Sequence, residues 1–285
     1  MMCRPFILLM FSLYTSLLAA AAPKPGPAVI VAVETRDFRV EFAGERAWTF
    51  QRILHQGSVV AGPAGFCGTV YAAESGKWIG TGHNEGGVEQ VEKVTLTVDC
   101  KECALTNQAV YPGKRAVLHK HSRMGPFRLE AIYTVTDDAI MEEHRYEAME
   151  EAKVSVLYAF MHTWLPQSTE WLAMKPDGTE VAGVFASDSD FELNEDVKWT
   201  ASYTPDNRRA MLAWYPQPLK GQGHKTAYWD KTVYHKLYNQ IYANTTVPAG
   251  TKFEAAVVIR GVVAEQGEWK ETVRKVAAGM GKAVE

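Results

Sequence analysis

The chain has 285 residues, 47% hydrophobic, 11% aromatic and 22% charged, the proportions of a globular protein and not of a disordered one. Its 30 Lys and Arg fall short of its 33 Asp and Glu, for a formal charge of -3. No basic excess exists to hold a phosphate backbone, so nucleic acid is not an expected partner.

Residues 1–22 have the layout of a secretory signal peptide. Arg4 supplies a positive start, residues 7–18 are mostly apolar, and Ala19 to Ala22 offer small-residue cleavage sites before Pro23. The expectation is an exported protein, secreted or periplasmic. The apolar run is short for a bilayer span, and no later stretch approaches that length, so no membrane span is expected after cleavage. Residues 23–285 read as a single domain.

After a linker at 23–27, nearly every segment alternates apolar and polar residues and is rich in β-branched and aromatic types. Strands are expected at 28–35, 38–42, 48–55, 69–73, 91–98, 116–122, 127–136, 140–148, 155–164, 185–191, 197–203, 211–215, 233–242 and 253–263. Turn signals such as Tyr111-Pro112-Gly113, Pro176-Asp177-Gly178 and Pro248-Ala249-Gly250 separate them. From Gly267 onward Trp269, Val273, Val276, Ala277 and Met280 recur at helical spacing. About fourteen strands and one late helix predict an all-β fold, a large antiparallel β-sandwich with a short C-terminal helix.

Several segments carry residues suited to chemistry. The stretch from Lys77 to Glu89 sets Trp78, His83, Asn84 and Glu85 among four glycines, which lets a backbone approach a ligand and presents polar side chains in succession. Cys67, Cys100 and Cys103 follow the leader, and the expected use is one local disulfide between Cys100 and Cys103 or a bridge from Cys67 to one of them. His119 and His121 share a strand face by their spacing of two, as some metal sites require, with His144 or Glu142 as a third ligand brought by sheet pairing. The bland reading of the pair, an exposed polar face, is the expectation, so no metal site is assigned. Asp188-Ser189-Asp190-Phe191-Glu192 alternates acids and hints at calcium, but lacks the glycine and terminal Glu of a calcium loop. No other cofactor is expected. Arg123, Arg145, Arg208 and Arg209 are candidate carboxylate partners, with surface ion pairing as the default for each.

The most informative segment is 234–242. As a strand it places Tyr234, Lys236, Tyr238, Gln240 and Tyr242 on one face, too polar for a core and too aromatic for a plain solvent face. Aromatic rings stack on sugar rings, while Lys and Gln bond hydroxyls or a carboxylate. Elimination from a uronic acid polymer needs a neutralised carboxylate, a base and an acid. A Tyr serves as either if nearby cations lower its pKa from about 10.

Two runs resemble the galactose mutarotase-like superfamily. One runs from Tyr133-Thr134-Val135-Thr136-Asp137-Asp138 through Ile140 and His144 to the strand Val156 to Trp164; the other is Val247-Pro248-Ala249-Gly250-Thr251 and the closing strand behind it. The resemblance implies a wide β-supersandwich with a sugar-binding groove on its concave face. It implies a general-acid role for His162, beside Trp164, and sugar contact for His83 or Asn84. That family's late Glu base has no counterpart in a matching motif here.

The expected function is therefore a secreted carbohydrate-active protein that binds or processes an extracellular polysaccharide, in its sharpest form a lyase of an acidic glycan. Tyr234 or Tyr238 would be base and acid, Lys236 or an Arg would neutralise the carboxylate, and His162 and His83 would assist. Gln240, Tyr242, Trp164, Trp78, Asn84 and Glu85 would bind substrate. The alternatives are a non-catalytic glycan-binding module and a mutarotase-type sugar epimerase.

Overall fold

The alternation in the sequence builds two stacked sheets. The computed structural model describes residues 26–82 and 85–282, so the signal-peptide segment lies outside the described residues. One sheet has eleven strands and the other ten. Neighbouring strands are antiparallel, except that Ile30–Glu34 runs parallel to Val110–Pro112. The all-β antiparallel sandwich with a C-terminal helix is what the sequence predicts.

Local chemistry accounts for the elements. Phe127–Thr136 and Ile140–Ala148 occupy the expected limits, joined at Asp137-Asp138. The expected strand at 185–191 does not form. Glu180–Val184 and Phe191–Glu195 flank a bent stretch in which Ser187 and Ser189 take φ of 59° and 67°. There the Ser187 N–H turns aside to donate to the Asp230 carboxylate at 2.5 Å. Short strands that lack a clear period also appear, among them Ser58–Ala61, Glu170–Met174 and Lys225–Lys231.

Aromatic rings from both sheets meet in the core. Tyr133 of the ten-stranded sheet packs edge-on against Phe42 and Phe50 of the other, at 5.7 and 5.1 Å between centroids. Tyr71 and Phe127 close a second such contact at 5.3 Å. The helix Trp269–Lys282 covers the outer face of the ten-stranded sheet. Trp269 lies flat on Tyr203, at 5.1 Å and 3°, and Val273, Ala277 and Met280 follow at the spacing of one helix face. The strands beneath it are thus buried on both faces, with Leu172, Ala201, Leu212 and Val262 in the cluster under the helix and Ala173, Met211 and Ile259 in the main core.

The cysteines depart from expectation. Cys67, Cys100 and Cys103 are all free. Cys67 is buried with its Sγ 3.5 Å from the Thr163 hydroxyl, so its bridge to the other two does not form. Cys100 takes a φ of 65° in the turn before Lys101–Cys103, and no bond joins it to Cys103. Among the described residues no helix is long and apolar enough to cross a membrane.

Candidate functional site

The site is built on two long strands of the eleven-stranded sheet, Ala152–Trp164 and Tyr234–Val247, paired antiparallel. Lys236 stands opposite Thr163 on one side and Trp229 on the other, and Tyr238 stands opposite Met161 and Ala227. Directly opposed residues share a face. On this face the Lys236 Nζ lies 5.2 Å from the Tyr238 ring centroid and 5.9 Å from that of Tyr234. Tyr158 packs on Tyr238 at 4.5 Å, and Trp78 stacks on Tyr158 at 6.4 Å and 11°. Phe191 meets Trp229 at 4.7 Å, and Lys231 sits 5.9 Å over the Trp229 ring. The result is a row of rings with lysines set among them.

Lys236 is the electrostatic centre. It is 3% exposed. Burial lowers its amine to a pKa of about 8; only the ionised form of Cys67, which burial disfavours, would oppose this, and no acidic side chain among the described residues does so. Burial acts on the phenols in the other sense. It raises Tyr238 strongly, with the neighbouring Tyr234 and Tyr158 adding to the effect, and it raises Tyr234 and Tyr158 as well. Lys236 does not bring either tyrosine into the range of a neutral-pH base, contrary to the sequence expectation.

The other expected site residues scatter. His162 stands opposite Leu237 and points into the sandwich, fully buried, with its ring stacked between Phe50 at 6.2 Å and Trp164 at 5.6 Å. Its Nε2 lies 2.8 Å from Glu142 of the other sheet, and the His144 Nε2 lies 2.9 Å from the second Glu142 oxygen. Burial would raise the Glu142 carboxyl, but the two imidazoles hold it down at about 2. Trp164 is 1% exposed on the same inner side. His162 and Trp164 are therefore separated from the tyrosine face by the sheet itself.

Gln240 is buried, and its amide donates to the Gly223 carbonyl. Tyr242 packs edge-on against Phe253 of the ten-stranded sheet at 5.0 Å, away from Tyr234 and Tyr238. Register shifts at Leu157/Tyr158 and Tyr158/Phe160 break the alternation there. Glu85 is exposed, while His83 and Asn84 lie outside the described residues. Glu142 and His144, expected near His119 and His121, turn inward to His162 instead; Glu130 takes that place, with its Oε1 2.9 Å from the His119 Nε2. Asp188 and Glu192 do converge, with Asp230, to within 4.8 Å between ligand atoms. Arg145 pairs with Glu130 and Arg208 with Glu265, Arg123 bonds the Gly125 carbonyl and Arg209 that of Asn207, so these arginines serve surface pairing and local turns.

Sequence reasoning missed Tyr158, whose period-2 neighbours Phe160 and His162 face inward, and the buried pair Lys120 and Glu89, 2.7 Å apart. Glu89 also accepts from Ser122 at 2.6 Å and Thr81 at 3.1 Å, which ties the glycine-rich loop to the sheet. Strand alternation puts Lys120 on the face opposite His119 and His121, the face that is buried here; that was the available signal.

No family model and no curated protein matches the chain. Solved structures do resemble it. The Slr1438 protein from Synechocystis matches 86% of this chain and 99% of its own, at 11% identity and a TM-score of 0.49. A galactose mutarotase-like protein from Lactobacillus casei matches 82% of this chain and 100% of its own, at 9% identity and a TM-score of 0.48. A GH36 alpha-galactosidase from Geobacillus stearothermophilus matches 72% of this chain and 31% of its own, at 9% identity and a TM-score of 0.47. At identities of 9–11% and TM-scores below 0.5, nothing about activity is carried over from these proteins.

Proposed function

We propose that the face formed by Trp78, Tyr158, Tyr238, Lys236 and Tyr234 binds an acidic sugar residue of an extracellular polysaccharide, in a chain exported by its N-terminal segment. One observation carries this reading: the Lys236 ammonium is almost out of water, lies between two phenols and has no acidic partner among the described residues. A charge held this way costs stability unless another charge answers it. A sugar carboxylate answers it, and the rings present flat apolar surface to the pyranose face. Tyr234 and Tyr238 cover the amine, so ligand entry requires one phenol to turn aside.

Titration calorimetry with oligouronates and with neutral oligosaccharides of matched length tests the proposal. The acidic series is expected to bind more tightly, and Lys236→Met to weaken it by about tenfold or more, the scale of one charged hydrogen bond. Tyr238→Ala should weaken both series. Equal affinity for acidic and neutral sugars, or an unchanged affinity in Lys236→Met, would falsify the assignment.

A second reading is elimination from the same uronate. It is favoured by the Lys236 amine itself, whose pKa of about 8 makes it a base of suitable strength where the phenols are not. Ultraviolet absorbance from an unsaturated product, abolished in Lys236→Met, separates turnover from binding. A mutarotase-type epimerase acting through His162 would require a sugar ring to reach the sandwich interior.

A further inference from the structure

We propose that His119, His121 and Glu130 bind one divalent first-row transition cation, of which zinc is the best fit, on the exposed face of the ten-stranded sheet. The placement follows from strand geometry. His119 and His121 lie two apart on Arg115–Met124 and point the same way, with ring centroids 4.6 Å apart. The neighbouring strand Phe127–Thr136 puts Glu130 directly opposite His121. One ligand atom from each of the three lies within 4.8 Å of the others. A tetrahedral zinc with bonds of about 2.0–2.1 Å separates its ligand atoms by about 3.3 Å, so small side-chain rotations close the set.

The surroundings also suit a metal. His119 is 35% exposed and Glu130 30%, which leaves room for water as a fourth ligand. The Arg145 guanidinium holds the Glu130 Oε2 at 3.2 Å, so the Oε1 that meets His119 is the one offered to the ion. A groove of about 580 Å³, lined by His121, Glu130, Arg145, Tyr146 and Phe253, opens beside the cluster and gives access to a second molecule. The competing arrangement is a cross-strand charge ladder, Lys93, His121, Glu130, Arg145 and Glu254 in successive strands. That ladder accounts for Glu130 and Arg145, but not for a second imidazole aimed at the same carboxylate.

The test uses the full chain carrying Cys100→Ser and Cys103→Ser, which removes these two thiols as rival ligands. Zinc is titrated against a chromogenic chelator, and cobalt(II) is added separately for its visible spectrum. One equivalent of zinc should bind with a Kd of about 10 μM or tighter, and cobalt should show the intense bands of a four-coordinate site. His119→Ala, His121→Ala and Glu130→Gln should each weaken binding by about tenfold or more while circular dichroism stays unchanged. Absence of zinc binding in the chain lacking Cys100 and Cys103, or binding that His121→Ala leaves intact, overturns the proposal. Glycan affinity at the Lys236 face is expected to be the same with and without the metal, so the two sites are tested independently.

Discussion

Replacing Lys236 by methionine should make the protein more stable at neutral pH, and by an amount that depends on pH. The side chain is 3% exposed and lies between the rings of Tyr234 and Tyr238, where methionine of nearly the same length fills the same space. Burial lowers the amine from 10.5 to about 8, and at about 1.4 kcal/mol per pKa unit the charged form costs the native state about 3 kcal/mol. Below the folded pKa both states are protonated and the full cost is present. Between about 8 and 10.5 the unfolded chain binds the proton and the folded chain does not, so wild-type stability rises with pH. Above that window both amines are neutral and the cost is gone. The gain from Lys236→Met is therefore largest at neutral pH and shrinks toward zero as pH passes 10.5. Urea unfolding followed by tryptophan fluorescence, on both proteins across this range, measures it. A gain that does not vary with pH, or a methionine variant less stable than wild type at neutral pH, would show that the ammonium is answered by a partner and would remove the basis for an anion site. At saturating oligouronate the gap between the two proteins should narrow by about 1.4 kcal/mol or more, because the ligand binds wild type about tenfold or more tightly.

Four further outcomes follow from named contacts. Glu142→Ala leaves His144 and His162 without their shared carboxylate in the core and should cost about 3–5 kcal/mol in urea unfolding; a loss under about 1 kcal/mol refutes the network. The same carboxylate, held at about 2, contributes stability that is complete above its ordinary 4.5 and is lost as pH falls toward 2, so the acid limb of a stability–pH curve should flatten in Glu142→Gln. Trp269→Ala removes the ring stacked on Tyr203 and should cost about 3–5 kcal/mol, with helix release visible in hydrogen exchange of residues 269–282. A Cβ at Gly65 would stand 2.5 Å from the Thr163 Cγ2 and 3.0 Å from the Tyr234 ring, so Gly65→Ala should displace Tyr234 and weaken glycan binding with little effect on zinc.

Alternation of apolar and polar residues was enough to find most of the strands, the C-terminal helix and the shared face of Tyr234, Lys236 and Tyr238, because pleat and helix periods are local properties of the chain. The same alternation cannot say which face looks inward, nor where a bulge reverses it. Read by period, Tyr158 belongs with His162 and Trp164. The register shifts around Tyr158 send it out to Tyr238 and Trp78, while His162 and Trp164 go in to Phe50 and Glu142. Tyr242, four residues beyond Tyr238, leaves the face for Phe253 for the same reason. Residue chemistry named Lys236 as a partner for tyrosines, but the order of their acidities came from burial, which exists only once two sheets have closed on each other. Pairing across strands likewise put Glu130, not Glu142, beside His119, since a neighbour in the sheet is set by register and not by distance along the chain.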